Sequence, residues 1–127
     1  PKAEYGHFLI DMKKDLQRSL MLADAAGIAR DQIILDPGVG FGKTYEQNLA
    51  VLAHLDTFLD FELPLLLATS RKSVIGLTLD LPVEEREEGT MVTSVLAALN
   101  HWDMVRVHDV EKNVRALRMT EKIMSLQ

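Results

Sequence analysis

No cysteine occurs among the 127 residues. That excludes a disulfide scaffold and a thiolate metal site, and suits a reducing compartment such as the cytoplasm. No apolar run approaches the roughly 20 residues that span a bilayer, and no signal-peptide pattern opens the chain. The expectation is therefore a cytoplasmic protein with no membrane partner. Lys and Arg are dispersed rather than clustered, and the formal net charge is −5, which argues against a nucleic-acid surface. Neither an HExxH pair nor a Ser/His/Asp nucleophile arrangement is present. Low-complexity tracts and long linkers are lacking as well. Because the chain opens on Pro1 and not on Met, it reads as a piece of something longer, though 127 residues can bury one core as a single unit.

What is there centres on Ile33–Thr44. A β-branched apolar run ends in Asp36, Pro37 stops regular continuation, and Gly38, Gly40 and Gly42 follow. A strand that delivers an acid into a small-residue loop is how parallel α/β folds build sites beyond their strand ends. Two nucleotide motifs come close and fail. A phosphate loop ending on Gly42-Lys43-Thr44 would place its first glycine on Pro37, and the third glycine of a GxGxxG fingerprint would fall on Lys43.

Apolar positions Phe8, Met12, Leu16, Leu20 and Ala23 predict a helix near residues 7–26, closed by Gly27 and Ile28. A second helix is predicted from Glu46 to about Phe58, and a short one leads toward Leu79. Leu65–Thr69 is a fully apolar run that suits a strand covered on both faces. Pro82, Glu84 and Glu85 mark the start of another helix, running to Asn100. It is apolar on most sides from Met91 to Leu99, which suggests packing on two surfaces and a partner subunit. Met104–His108 reads as a third strand. Asp109 caps a last helix with the stripe Val110, Val114, Leu117 and Met124. The order is α-β-α-β-α-β-α with parallel strands. That suits half of a (β/α)8 barrel of about 250 residues, with a small open α/β sheet as the competing architecture.

The strands end in Asp36, in Thr69-Ser70-Arg71-Lys72-Ser73, and in Arg106-Val107-His108-Asp109. If parallel, they bring an acid, a basic loop and an Arg/His pair to one face. An ionised Asp only accepts hydrogen bonds, and its two oxygens match adjacent N–H donors on an amino-substituted heterocycle. Ser73 at a helix start suits a carboxylate or phosphate. Arg106 points opposite to Val105 and Val107, and its planar fork suits phosphate. The plainer alternatives are an Asp36 that only forms a turn, a solvated Arg71/Lys72 pair, and helix-end histidines at His54 and His101.

Taken together, Leu35–Lys43, Ser70–Ser73 with Ile75-Gly76, Gly89-Thr90 and Arg106–Val110 resemble dihydropteroate synthase over nearly the whole chain, with Ala68 standing where that family commonly has glycine. The resemblance implies the C-terminal half of a TIM (β/α)8 barrel, from about the fifth helix onward. It implies condensation of 6-hydroxymethyl-7,8-dihydropterin diphosphate with para-aminobenzoate in folate synthesis, releasing pyrophosphate; sulfonamides imitate the second substrate. By resemblance, Asp36 and Lys72 hold the pterin, Phe41 and Ser73 contact aminobenzoate with Arg71 beside them, and Arg106 and His108 bind diphosphate. Asp36, Lys72, Arg106 and His108 are the expected catalytic group. Mg2+ is expected to assist the departure of diphosphate, without ligands from this chain. A homodimer through helix 84–100 is expected, and an isolated half barrel should be nearly inactive. The competing functions are a pterin-binding methyltransferase barrel, an oligomerisation module and a phosphate-loop nucleotidase.

Overall fold

The computed structural model describes residues 2–127, with side chains from Tyr5 onward. Helix α1, Lys2–Ala25, is followed by α2, Tyr45–Ala53; strand β1, Leu66–Leu67; α3, Ser73–Leu79; α4, Glu87–Leu99; β2, Met104–Val105; and α5, Val110–Met124. Strands β1 and β2 pair in parallel, with Leu66 opposite Met104 and Leu67 opposite Val105. A parallel bridge between Leu35 and Leu65 adds the Asp36 segment on the other side. The three chain segments therefore run the same way, and their C-terminal ends lie at one end of the molecule.

The strands are shorter than the apolar runs predicted. Hydrogen bonds such as Leu66 N to Leu35 O (2.8 Å) and Arg106 N to Leu67 O (3.0 Å) tie them together over only a few residues. In the predicted run Leu65–Thr69, Leu65, Leu67, Ala68 and Thr69 are nonetheless buried and Leu66 is half-buried, as suits a central strand covered on both faces. Around it lie Leu9, Met12, Leu35, Val39, Val51, Leu55, Phe58, Phe61 and Val74.

Helix α1 ends as its sequence requires. Gly27 is left-handed at φ +79°, Ile28 N donates to Ala23 O and Gly27 N to Asp24 O, a closure that satisfies two terminal carbonyls. The predicted helix over 46–58 is corrected. Helix α2 stops at Ala53, and Leu55–Phe61 continues as a tighter 3-10 segment. That segment turns Leu55, Phe58 and Phe61 into the core. Trp102 explains the break, because its indole Nε1 donates to Leu55 O at 2.9 Å and its ring meets Phe58 edge to face at 6.0 Å.

Two further expectations change. The helix read as 84–100 starts at Glu87, after a separate 3-10 turn at Val83–Glu85. Its buried face is small and polar, Thr90, Thr93, Ser94 and Ala97, while Val92 and Leu99 are exposed. Helix α5 likewise buries Asn113 and Thr120, leaving Val110 and Val114 of the predicted stripe exposed. The reason is a polar seam: Ser94 donates to Asn113 Oδ1, and Asn113 Nδ2 donates to Glu87 Oε2 and Asp109 O, each at 2.8 Å. Gly89 lets α4 approach α3, since a Cβ there would lie 2.3 Å from Ile75 Cγ2. Among the described residues no helix is long and apolar enough to cross a membrane.

Candidate active site

Asp36 leaves the Leu35 bridge into a loop that its own sequence closes. Its Oδ1 accepts from Gly38 N at 2.8 Å, a turn of the kind Asp favours. Gly38 and Gly40 have φ of +73° and +88°, values closed to most side chains. Gly40 N donates to Asn48 Oδ1 at 2.9 Å, so a buried asparagine on α2 holds the loop. Lys43 turns inward, donating to Gly38 O at 2.8 Å and Phe41 O at 3.2 Å. Thr44 and Gln47 form a reciprocal capping box that starts α2. A phosphate loop would need that lysine and threonine for its ligand, so the geometry matches the failed motif.

Lys72 links this loop to the next strand end. Its stem crosses Gly40, where a Cβ would come within 3.0 Å of Lys72 Cδ. The ammonium donates to Val39 O and lies 4.6 Å from the centroid of the Phe41 ring. Phe41 itself is 67 % exposed. Burial pulls the Lys72 pKa below the ordinary lysine range; the Asp36 carboxylate opposes that, and Arg106 and Lys43 reinforce it. Asp36 and Arg106 thus both lie within electrostatic reach of Lys72.

A cavity of about 390 Å³ opens beside Lys72, lined by Ala68, Ser70, Lys72, Arg106, Val107 and His108. The strand register builds it, because alternate residues of the Leu65–Ser70 run face the same way as Arg106 and His108. Ser70 Oγ lies 2.7 Å from His108 Nδ1 and accepts from His108 N at 3.1 Å. The lysine and the Arg/His pair therefore share one cavity, and Asp36 stands outside its lining, within electrostatic reach of Lys72.

Arg71 and Ser73 sit differently. Arg71 is left-handed at φ +59° and is clamped there: its N–H donates to Thr90 Oγ1 at 3.1 Å, and its carbonyl accepts from Arg86 Nη1 at 2.9 Å. Its guanidinium lies 3.9 Å from Glu87 Oε1, against α4 and outside the cavity lining. Ser73 is the first residue of α3 and is exposed. Sequence reasoning missed Asn48, Arg86 and Glu87. Asn48 left one signal, a polar residue set among the apolar positions of α2.

The donor set does not fit Mg2+. A hard cation takes carboxylate, carbonyl and water oxygens in octahedral array, whereas the rim offers Lys72, Arg106 and His108 beside a single carboxylate. Among the described residues no group of three His, Cys, Asp or Glu could hold a metal ion.

The family described as pterin binding enzyme matches residues 1–108. A dihydropteroate synthase of Clostridium beijerinckii is 50% identical over 121 residues, covering 94% of this chain and 45% of that protein. One of Bacillus subtilis is 47% identical over 125 residues, covering 98% and 44%. Among solved structures, the dihydropteroate synthase of Yersinia pestis superposes with TM-score 0.90 at 40% identity, over 94% of this chain and 56% of that one. That of Coxiella burnetii in complex with pteroic acid gives 0.91 at 36%, over 97% and 46%. The chain spans less than half the length of the curated relatives named here. The parallel units are thus part of a (β/α)8 barrel, and not a small open sheet.

Proposed function

The chain belongs to the pterin binding enzyme family, and from that premise we propose that it supplies the pterin- and diphosphate-facing part of a dihydropteroate synthase. One observation supports the reading: Lys72, Arg106 and His108, from two strand ends, line one cavity, and Asp36, from a third, lies within electrostatic reach of Lys72. The substrates are a dihydropterin diphosphate and para-aminobenzoate, and the setting is cytoplasmic folate synthesis.

Asp36 uses one oxygen on its own loop and keeps capacity on the other to accept from pterin N–H groups. Lys72 donates from beside it. As the C–O bond to the pterin methylene breaks, negative charge builds on the diphosphate, and the Arg106 and His108 donors stabilise it in place. The amine of aminobenzoate forms the new C–N bond and releases its proton. Phe41 offers a ring face and Ser73 a hydroxyl to aminobenzoate, and Arg71, held against Glu87, is assigned to the border of that pocket by the family resemblance. Mg2+ would arrive with the diphosphate substrate and take no ligand from Lys72, Arg106 or His108.

The test is a chimera in which this chain replaces the matching stretch of the Clostridium beijerinckii relative. It is expected to make dihydropteroate, and Asp36→Asn in the same chimera to lower kcat/KM by about 100-fold. A chimera with native circular dichroism and no condensation, or an Asp36→Asn variant with full rate, overturns the proposal. The 127-residue chain alone is expected to be nearly inactive, and ordinary rates from it would refute the claim that it supplies only part of the site.

A homodimer through α4 is the second part of the proposal. Leu49, Leu52, Val74, Leu79, Val92 and Leu96 form a mostly apolar groove between α2, α3 and α4, and exposed apolar surface of this kind favours association. Sedimentation velocity should show a dimer that Val92→Glu dissociates; a monomer at high concentration rules it out.

A further inference from the structure

We propose that Ser70 is a positioning residue that fixes His108 as the Nε2–H tautomer, so that its free N–H faces the anion cavity. The aim at an anion rests on the function proposed above, whereas the tautomer itself does not. Ser70 is 8 % exposed at the end of the central strand, and His108 lies across from it on the neighbouring strand end. The hydroxyl has one proton and two acceptor sites.

The His108 backbone N–H can only donate, and it occupies one of those acceptor sites at 3.1 Å. Ser70 Oγ makes one further hydrogen bond among the described residues, to His108 Nδ1 at 2.7 Å. If Nδ1 carried the proton, it would donate to Ser70 and leave the hydroxyl hydrogen with no acceptor in a buried place, which is unfavourable. With the hydroxyl donating instead, both groups are satisfied and Nδ1 is the acceptor. A neutral imidazole protonates one nitrogen at a time, so the proton resides on Nε2. That nitrogen has no hydrogen bond among the described residues, and the ring lines the cavity with Lys72 and Arg106.

The same contact also fixes the ring plane. Because Ser70 grips both the backbone and the ring of His108, χ1 and χ2 are held by two bonds to a single oxygen. Among the described residues no hydrogen bond joins Asp36 or Lys72 to this pair. Ser70 therefore acts through His108 and need not touch the ligand.

The experiment has two arms, both on the purified chain. The first is nitrogen-15 spectroscopy of the histidine rings at a pH where His108 is neutral. Nδ1 is expected at an acceptor-type position and Nε2 at a protonated one in the wild type. In Ser70→Ala the two should move toward the averaged positions of exchanging tautomers, and Ser70→Thr, which keeps the hydroxyl, should restore the separation. A proton found on Nδ1, or an unchanged spectrum in Ser70→Ala, overturns the assignment. The second arm is calorimetric titration with inorganic pyrophosphate. Ser70→Ala and His108→Ala should each weaken binding by about 5- to 10-fold, and the double variant should be no weaker than His108→Ala alone. Additive losses would mean that Ser70 contacts the anion itself and would refute a positioning role. Absence of pyrophosphate binding in the wild type, with the expected tautomer present, would refute the diphosphate reading of the cavity while leaving the tautomer assignment standing.

Discussion

Lys72→Met is expected to weaken pyrophosphate binding by about 10- to 100-fold, the range for losing a charge-assisted hydrogen bond in a partly desolvated site, without lowering the melting temperature. The second half of this result follows from linkage. Burial depresses the Lys72 pKa in the folded state, so below that folded-state pKa, where both states are protonated, the folded chain carries the full penalty of confining the charge. As pH rises through the folded pKa toward the ordinary lysine value, the unfolded state binds more protons than the folded one, and stability increases. Methionine keeps the stem over Gly40 and removes the charge. Thermal unfolding between neutral pH and about pH 10.5 should therefore show a wild type that gains on the variant as pH rises. A variant that melts well below the wild type at pH 7 would show that Lys72 is chiefly structural, through its bond to Val39 O. Lys43 is depressed by burial in the same way, with Asp36 and Asp15 opposing. The comparison must therefore be between variant and wild type, and not within one curve.

Trp102→Ala should produce the largest loss of stability. Trp102 is 7 % exposed, meets Phe58 edge to face and donates to Leu55 O. Removing a large buried aromatic costs about 3–5 kcal/mol, and losing the indole hydrogen bond to Leu55 O adds about 0.5–1.5 kcal/mol. A domain holds only about 5–15 kcal/mol in total, so the variant should be largely unfolded at 25 °C by far-ultraviolet circular dichroism. Trp102→Phe keeps a smaller aromatic ring and loses the hydrogen bond, and should fall between. The wild type has a single tryptophan, so its fluorescence reports the same transition in urea. A Trp102→Ala chain with a native denaturation midpoint would show that the 3-10 segment at Leu55–Phe61 holds without its indole anchor.

That anchor marks where the sequence was hard to read. Asp36, the Leu65–Ser70 run and the Arg106/His108 pair were legible because a strand end announces itself locally: an apolar stretch stops and polar groups begin. Trp102 had no such signature, since its role lies in a bond to a carbonyl 47 residues away. The leucines at 49, 52 and 59 were consistent with one long helix, and only the packing of Phe58 against Trp102 decides for a break. Helix α4 misled in another way. It read as apolar on most sides, but Asn113 reaches across from α5 to Ser94 and Glu87, and that buried polar contact has no local signature. In the site, Arg71 and Lys72 are adjacent letters with different destinations. The left-handed backbone at Arg71 sends one toward Glu87 and the other toward Asp36 and Arg106.

Lys43 directs its ammonium at its own loop and Arg71 leans on a glutamate, so an approaching polyanion meets chiefly Lys72 and Arg106 at contact range. At a distance it meets something else, a body of formal net charge −5. Beyond the Debye length, about 8 Å at physiological ionic strength, that excess is screened away, while the close and partly buried cations are screened much less. Added salt thus acts in opposite senses on the two stages of capture: it eases the diffusional approach and loosens the hold once the ligand has arrived.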